Sequence, residues 1–226
     1  MPIVEITPVG KSERCEVRPN GAIHFTQIVI NRTGWRAGEQ GDHLNVHCLL
    51  TDGALILLFA KTSPDQPGFK LHFLSRNTTG GSGGELRCAR LATQILRPRI
   101  ALPIRDIVPI FLEKEPYPYQ LAFILQLPDW IESDFSQTAA ETVPNRVIGV
   151  YALMTNDRKI YRYGEGVIQT RMKEHLKSAE HTRVAKRFAY FTMPEKSDAE
   201  LIEHLLLLRY KQQNGGQLPP GNRITA

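Results

Sequence analysis

The sequence predicts a mixed α/β (α+β) protein, with a β-rich, pseudobarrel-like domain followed by a small mixed α/β domain. Three observations lead there. The first 130 residues fall into short apolar or alternating runs broken by glycine and proline, which is strand spacing. From residue 146 onward, strand-type runs alternate with two segments of helical period. The length of 226 residues suits two units of about 100–130 residues each.

Within the first part, Ile23–Ile30 alternates loosely, and Leu44–Leu50 and Ala54–Ala60 are short apolar runs. Asp52-Gly53 between those two runs is a strong hairpin signal. Phe69–Leu74 alternates again, with Leu71 and Phe73 on one face and Lys70 and His72 on the other. The run Thr78-Thr79-Gly80-Gly81-Ser82-Gly83-Gly84 predicts an exposed loop. Cys88–Leu96 predicts a short helix stopped by Pro98. Pro103 and Pro109 demote Ile100–Leu112 to edge strand or irregular structure. Tyr119–Leu127 is a further strand.

The polar stretch 131–145 is expected to be a linker between domains 1–130 and 146–226. Val147–Met154 and Lys159–Gly164 then predict two strands around a turn at Thr155–Arg158. Ile168–Ser178 has helical spacing, with Ile168, Met172 and Leu176 on one side. Phe188–Met193 predicts a third strand. Ser197, with Glu200 three residues on, has the capping-box pattern for a helix from Ala199 to about Lys211, ended by Asn214-Gly215-Gly216.

Composition excludes several classes. With 42% hydrophobic and 23% charged residues the chain is neither disordered nor membrane-spanning in character. The N-terminus lacks a basic region followed by an apolar core, so a cytoplasmic protein is expected. Cys15, Cys48 and Cys88 are odd in number and widely spaced, and predict buried thiols rather than a zinc site. The net charge of +5 is unevenly placed. Residues 1–145 carry 14 Lys/Arg against 15 Asp/Glu, whereas residues 146–226 carry 14 against 8. Arg158, Lys159, Arg162, Arg171, Lys173, Lys177, Arg183, Lys186 and Arg187 concentrate the excess, as a phosphate-binding face would.

The same segment holds groups suited to phosphodiester cleavage, which needs an activated water, neutralised phosphate charge and commonly a metal. Tyr151, with Tyr161, Arg162 or Tyr163 on the neighbouring strand, is a candidate for the first role. A phenol is a poor base and needs adjacent cations to help it. Arg171 has the planar guanidinium that grips a phosphate at two points. His175, four residues on, shares its helix face. A carboxylate on the second helix, Glu203 or Glu200, offers oxygen to a divalent cation.

In order, Gly149-Val150-Tyr151, Tyr161-Arg162-Tyr163-Gly164, Arg171 with His175, Glu203 and Pro219-Pro220-Gly221-Asn222 resemble the motifs of the GIY-YIG nuclease family over residues 148–222. The resemblance implies Tyr151 as the tyrosine of the first motif and Gly164 as the glycine of the second. It implies Arg171 as the catalytic arginine, His175 as the histidine of the restriction-enzyme branch, and Asn222 in a site-bracing role. Counting back from Gly164 leaves Arg162 where the second motif has tyrosine, so either a register shift brings a tyrosine into place or Arg162 substitutes. Glu203 is preferred over Glu200 as metal ligand because a Leu-Leu pair follows it. Mg²⁺, or another divalent metal such as Mn²⁺, is the implied cofactor, and Lys173, Lys177, Arg183, Lys186 and Arg187 the implied DNA contacts.

Residues 21–57, a strand, a short helix, a Gly-Asp turn and a hairpin closed by Asp-Gly, resemble AbrB-type swapped hairpins. With Gly68–Leu112 they are similar to the pseudobarrel of plant transcription factors. That makes Arg32, Arg36, Arg76, Arg87 and Arg90 candidate DNA contacts. Together the two resemblances imply a type II restriction endonuclease on double-stranded DNA, dimeric and accompanied by a DNA methyltransferase. An inactive DNA-binding relative, or a repair or mobile-element nuclease on branched DNA, are the alternatives.

Overall fold

The computed structural model describes residues 14–51, 53–63, 66–73, 83–112 and 117–222. The fold is mixed α+β. Packing divides it into two compact units, Met1–Cys48 with Ile56–Leu125, and Leu49–Leu55 with Gln126–Ala226.

The first unit is built on β1 (Cys15–Val17), β2 (Ala22–Thr26), α1 (Gln27–Thr33), β3 (His43–Thr51), β4 (Ala54–Lys61), β5 (Phe69–Phe73), β6 (Gly83–Arg87), a π-helix (Leu91–Leu96), β7 (Ile104–Ile107), β8 (Ile110–Phe111) and β9 (Leu121–Gln126). The nine strands form one curled sheet in the order β7-β1-β2-β6-β5-β3-β4-β9-β8. Phe25 meets Trp35 and Phe59 edge-on, each at 5.4 Å between ring centroids, and Phe59 lies 4.9 Å from Phe123. Such pairs add about 0.5–1.5 kcal/mol each beyond area burial. The strands that directly follow Pro103 and Pro109, β7 and β8, occupy the two ends of the sheet, where a proline beside the ladder costs least.

Two expectations change here. The strand expected over Ile23–Ile30 stops at Thr26, and Gln27 begins α1, which closes on the left-handed Gly34 (φ 69°). Burial of Val29 and Ile30 outweighs their strand preference. In the glycine-rich loop, residues 78–82 lie outside the described residues, but Gly83 and Gly84 belong to β6. A Cβ on Gly84 would come within 2.9 Å of Leu71 Cδ1 and 3.0 Å of Ile30 Cδ1, so side-chain packing, not mobility, asks for glycine there.

The second unit contains β10 (Ile131–Asp134), α2 (Gln137–Thr142), β11 (Ile148–Met154), β12 (Ile160–Val167), α3 (Ile168–Leu176), α4 (Ala179–Val184), β13 (Arg187–Thr192), α5 (Lys196–Gln213) and a 3₁₀ turn (Pro220–Asn222). Its sheet runs β10-β13-β11-β12, antiparallel throughout. The segment 131–145 is therefore not a linker. β10 pairs with β13 from Ile131↔Tyr190 to Asp134↔Arg187, and α2, capped by Ser136, buries Ala140. Its polar composition reflects an exposed edge strand.

Helices α2, α3 and α4 cover one face, with Ala140 of α2 and Met172 of α3 clustered with Tyr151, Leu153, Tyr161 and Phe188. Helix α5 lies on the other, where Tyr210 meets Tyr163. The capping box does not form: α5 begins at Lys196 with Glu195 as N-cap, and Lys196 Nζ pairs with Glu200 at 2.9 Å. Ser178, expected inside the first helix, instead caps α4, which the sequence did not announce. No helix among the described residues is long and apolar enough to cross a membrane.

Candidate active site

Tyr151 sits in the central strand β11 and is buried. Its neighbour across the sheet is Gly164 of β12, where a Cβ would stand 2.2 Å from the Tyr151 hydroxyl oxygen. The glycine thus leaves the volume that the phenol fills. The phenol hydroxyl lies 2.7 Å from His175 Nε2 on α3. One turn earlier on α3, Arg171 Nε donates to the Glu165 carbonyl (3.2 Å) and Nη1 to Glu174 (3.1 Å). Gly166, at φ +126°, makes room for it, since a Cβ there would lie 3.0 Å from Arg171 Nε. Arg171 keeps 45% of its side chain exposed, so its guanidinium is open to an incoming phosphate.

A β-bulge interrupts the pairing of β12 with β11. Leu153 pairs with Arg162 but Met154 pairs with Ile160, leaving Tyr161 as the extra residue. Tyr161 consequently packs in the same buried cluster as Tyr151, contrary to the expectation from strict alternation, while Tyr163 lies on the opposite face. The hydroxyl of Tyr161 donates to Glu180 (3.2 Å), and its ring meets His181 edge-on at 5.8 Å. Arg162 donates through Nη1 to the Gly221 carbonyl, and its Nε is buried without a partner among the described residues. Asn222 braces the edge of β12: its Oδ1 accepts from the Tyr163 N–H and its Nδ2 donates to the Tyr163 carbonyl, both at 2.8 Å.

Of the two carboxylate candidates, Glu200 is held by Lys196 at the surface. Glu203 is half-buried and electrostatically coupled to Glu165, Arg162, Arg171 and Tyr151. Burial and the charge of Glu165 push the Glu203 carboxyl up. Burial likewise raises the Tyr151 phenol, against the pull of Arg162 and Arg171. Burial, with His181, Arg162 and Arg171 nearby, lowers His175 to about 4, so its imidazole is neutral at pH 7. Its second nitrogen, Nδ1, lies 2.9 Å from Nδ1 of His181 on α4.

Glu165, Glu180 and His181 are the site residues that sequence reasoning missed. Glu165 follows the motif glycine directly, which was a usable signal. His181 lies six residues beyond His175 across a helix break, where no periodicity relates them.

The donor set fits a hard divalent cation. Glu203 supplies carboxylate oxygen, and one Glu165 oxygen is buried with no hydrogen-bond partner among the described residues. Among those residues no group of three or more His, Cys, Asp or Glu is arranged to hold a metal. Two carboxylates are within what Mg²⁺ takes, since it keeps several waters and binds through one or two such groups.

The basic candidates divide. Lys177, which follows α3 as its C-cap, and Arg183 on α4 are exposed. Lys173 Nζ donates to Gln169 (3.2 Å), and Lys186 Nζ to the Thr182 carbonyl (2.9 Å). Arg187 is committed to β10 through Glu132 and Asp134, so its role is cross-strand pairing. In the first unit, Arg36 is tied to buried Asp42 (3.3 Å) and Arg87 to Glu85 (2.9 Å). Arg32 stacks on Phe111 at 3.8 Å, and Arg90 is exposed before the π-helix. Arg76 lies outside the described residues. Cys15 and Cys88 are buried free thiols, both pushed up to about 12 by burial, and Cys48 is a half-buried one.

Comparison with protein-family models, with curated proteins and with solved structures gives no match to this chain.

Proposed function

We propose that the protein is a metal-dependent DNA endonuclease of GIY-YIG type, acting as a type II restriction enzyme in the cytoplasm. The observation that carries this reading is the contact of a buried phenol, Tyr151, with a neutral imidazole, His175, beside Arg162, Arg171 and Glu203.

Tyr151 takes a proton from the attacking water. For that it must itself give up a proton, and His175, with a free lone pair at neutral pH, is placed to receive it. Arg171 binds the non-bridging phosphate oxygens and offsets charge as it develops. Glu203 would hold the divalent cation, Mg²⁺ or Mn²⁺, which when bound supplies Lewis-acid charge at the scissile phosphate. Tyr161 and Asn222 hold the fold of β12 around Arg162. Lys173, Lys177, Arg183 and Lys186 provide sequence-independent contact with the DNA backbone.

Sequence choice is assigned to the first unit, whose strand–helix–hairpin order from β2 to β4 matches the one expected for a DNA-reading pseudobarrel. A restriction enzyme cutting both strands works most simply as a homodimer, with a companion DNA methyltransferase protecting host sites. Incubation of unmethylated DNA with Mg²⁺ and wild type, Arg171→Ala or Glu203→Gln tests the reading. Discrete fragments from wild type alone support it. Equal products from all three, or from none, refute it.

A further inference from the structure

Tyr151, His175 and His181 form a continuous chain of hydrogen-bonding atoms: phenol oxygen to Nε2 at 2.7 Å, then Nδ1 to Nδ1 at 2.9 Å. The sequence gives no reason to expect the third member, and cleavage of DNA does not by itself require it. Its geometry nevertheless restricts where protons sit. Only one hydrogen fits between the two Nδ1 atoms. If it belongs to His175, then His175 Nε2 is a bare lone pair and accepts from the Tyr151 hydroxyl. If it belongs to His181, then His175 carries its hydrogen on Nε2 and the Tyr151 hydroxyl has no acceptor in the chain.

We propose that His181 is the outer proton acceptor of a relay through His175 that converts Tyr151 into a base. In the resting arrangement Tyr151 O–H donates to His175 Nε2, and His175 Nδ1–H donates to His181 Nδ1. On activation the phenol proton moves to His175 Nε2 while the Nδ1 proton moves to His181. Tyr151 is then a phenolate, His175 is neutral again with its tautomer reversed, and His181 is an imidazolium. The phenolate takes one proton from the attacking water and His181 releases one to solvent, so the relay carries one proton outward. The leaving-group oxygen takes its proton from water, and the histidines regain their resting tautomers by proton exchange with solvent.

The surroundings favour this direction. Tyr151 is buried and both histidines are half-buried, with His175 the more strongly desolvated and His181 carried on the short helix α4. Around the chain stand Tyr161 and Arg162 from β12, Arg171 from α3, Glu180 and Arg183 from α4, and Glu203 from α5. Arg162 and Arg171 stabilise a phenolate, and both oppose a cation on His175. Burial and Arg162 lower His181 as well, but Glu180 beside it opposes them, whereas no carboxylate offsets the cations around His175. Positive charge is thus disfavoured most strongly in the middle of the chain and less at its outer end.

The inference rests on the nuclease reading for what Tyr151 attacks, but the relay is testable without it. Imidazole ¹⁵N–¹H long-range correlation spectra of the full chain near pH 7.5 report each histidine's tautomer. Wild type is expected to show His175 as the Nδ1–H form. His181→Asn places an amide oxygen where Nδ1 stands, so it keeps an acceptor but cannot take a proton, and His175 stays Nδ1–H. His181→Phe removes the acceptor, and His175 shifts to Nε2–H. If DNA cleavage is observed, both variants are expected to be slowed about 10-fold or more at pH 7 and to recover as pH rises. An Nε2–H His175 in wild type overturns the relay, as does an Asn variant that cuts at the wild-type rate. If wild type cuts no DNA, the nuclease reading fails, and the tautomer pattern alone still decides the relay.

Discussion

The α-carbon of Gly164 faces the hydroxyl of Tyr151 so closely that a methyl group there would sit 2.2 Å from the oxygen. Gly164→Ala therefore must push the phenol away from His175 or open β12 from β11. Overpacking of this kind costs about 1–3 kcal/mol. Denaturant unfolding is expected to show that loss, and DNA cleavage to fall much more steeply than stability, because the displaced group is the proposed base.

Asn222 completes the backbone hydrogen bonding of an edge strand with a side-chain amide. Asn222→Asp keeps the acceptor for the Tyr163 N–H but faces the Tyr163 carbonyl with an oxygen that cannot donate. A destabilisation of about 1–3 kcal/mol is expected from the carbonyl left unpaired, measured by thermal or denaturant unfolding. Asn222→Ala loses both bonds and is expected to cost no less.

The low folded-state pKa of His175, about 4 against an ordinary 6.5, makes stability depend on pH in a defined window. Between these values the unfolded chain binds a proton that the folded chain refuses. Stability therefore falls as pH drops from about 6.5 toward 4, by up to about 3 kcal/mol in total. His175→Gln is expected to flatten this part of the profile in unfolding experiments taken at several pH values, leaving the region above pH 7 unchanged in slope.

The basic residues separate into two kinds with different signatures. Lys177 is exposed at the C-terminal end of α3, and Lys177→Gln is expected to reduce the salt slope of DNA binding by about one unit, without loss of stability. Arg187 is engaged with Glu132 and Asp134 across the β10–β13 pair. Arg187→Ala is expected to leave the salt slope unchanged and to cost up to about 1 kcal/mol of stability.

The elements that the sequence announced well are those with several residues on one buried face: β11, β12, α3, β13 and α5. Short elements escaped. β10 has only four residues on an exposed edge, and α2 and α4 have six each, too few for periodicity to speak. That Arg171 and His175 share one helix face was legible from their spacing, whereas Asn222 reaches β12 from a 3₁₀ turn that no periodicity announces. The place of Tyr161 was not legible, because a bulge breaks the alternation on which a sequence reading depends. The difference between Glu203, which is half-buried, and Glu200, which pairs with Lys196, arises from packing that spacing alone does not encode. His181 joined the site only because α3 ends and the chain turns back, a tertiary event with no local code.

The central claim is that Tyr151 is the base of a metal-dependent phosphodiester cleavage. Tyr151→Phe tests it most directly, since it deletes one oxygen and keeps the ring in its cluster. Single-turnover cleavage of unmethylated phage and plasmid DNA in Mg²⁺ or Mn²⁺ is the measurement. Wild type is expected to give discrete, metal-dependent fragments, and the folded Tyr151→Phe variant to be slower by about 100-fold or more. Equal rates for the two proteins, or no cutting of any DNA by wild type with either metal, would contradict it.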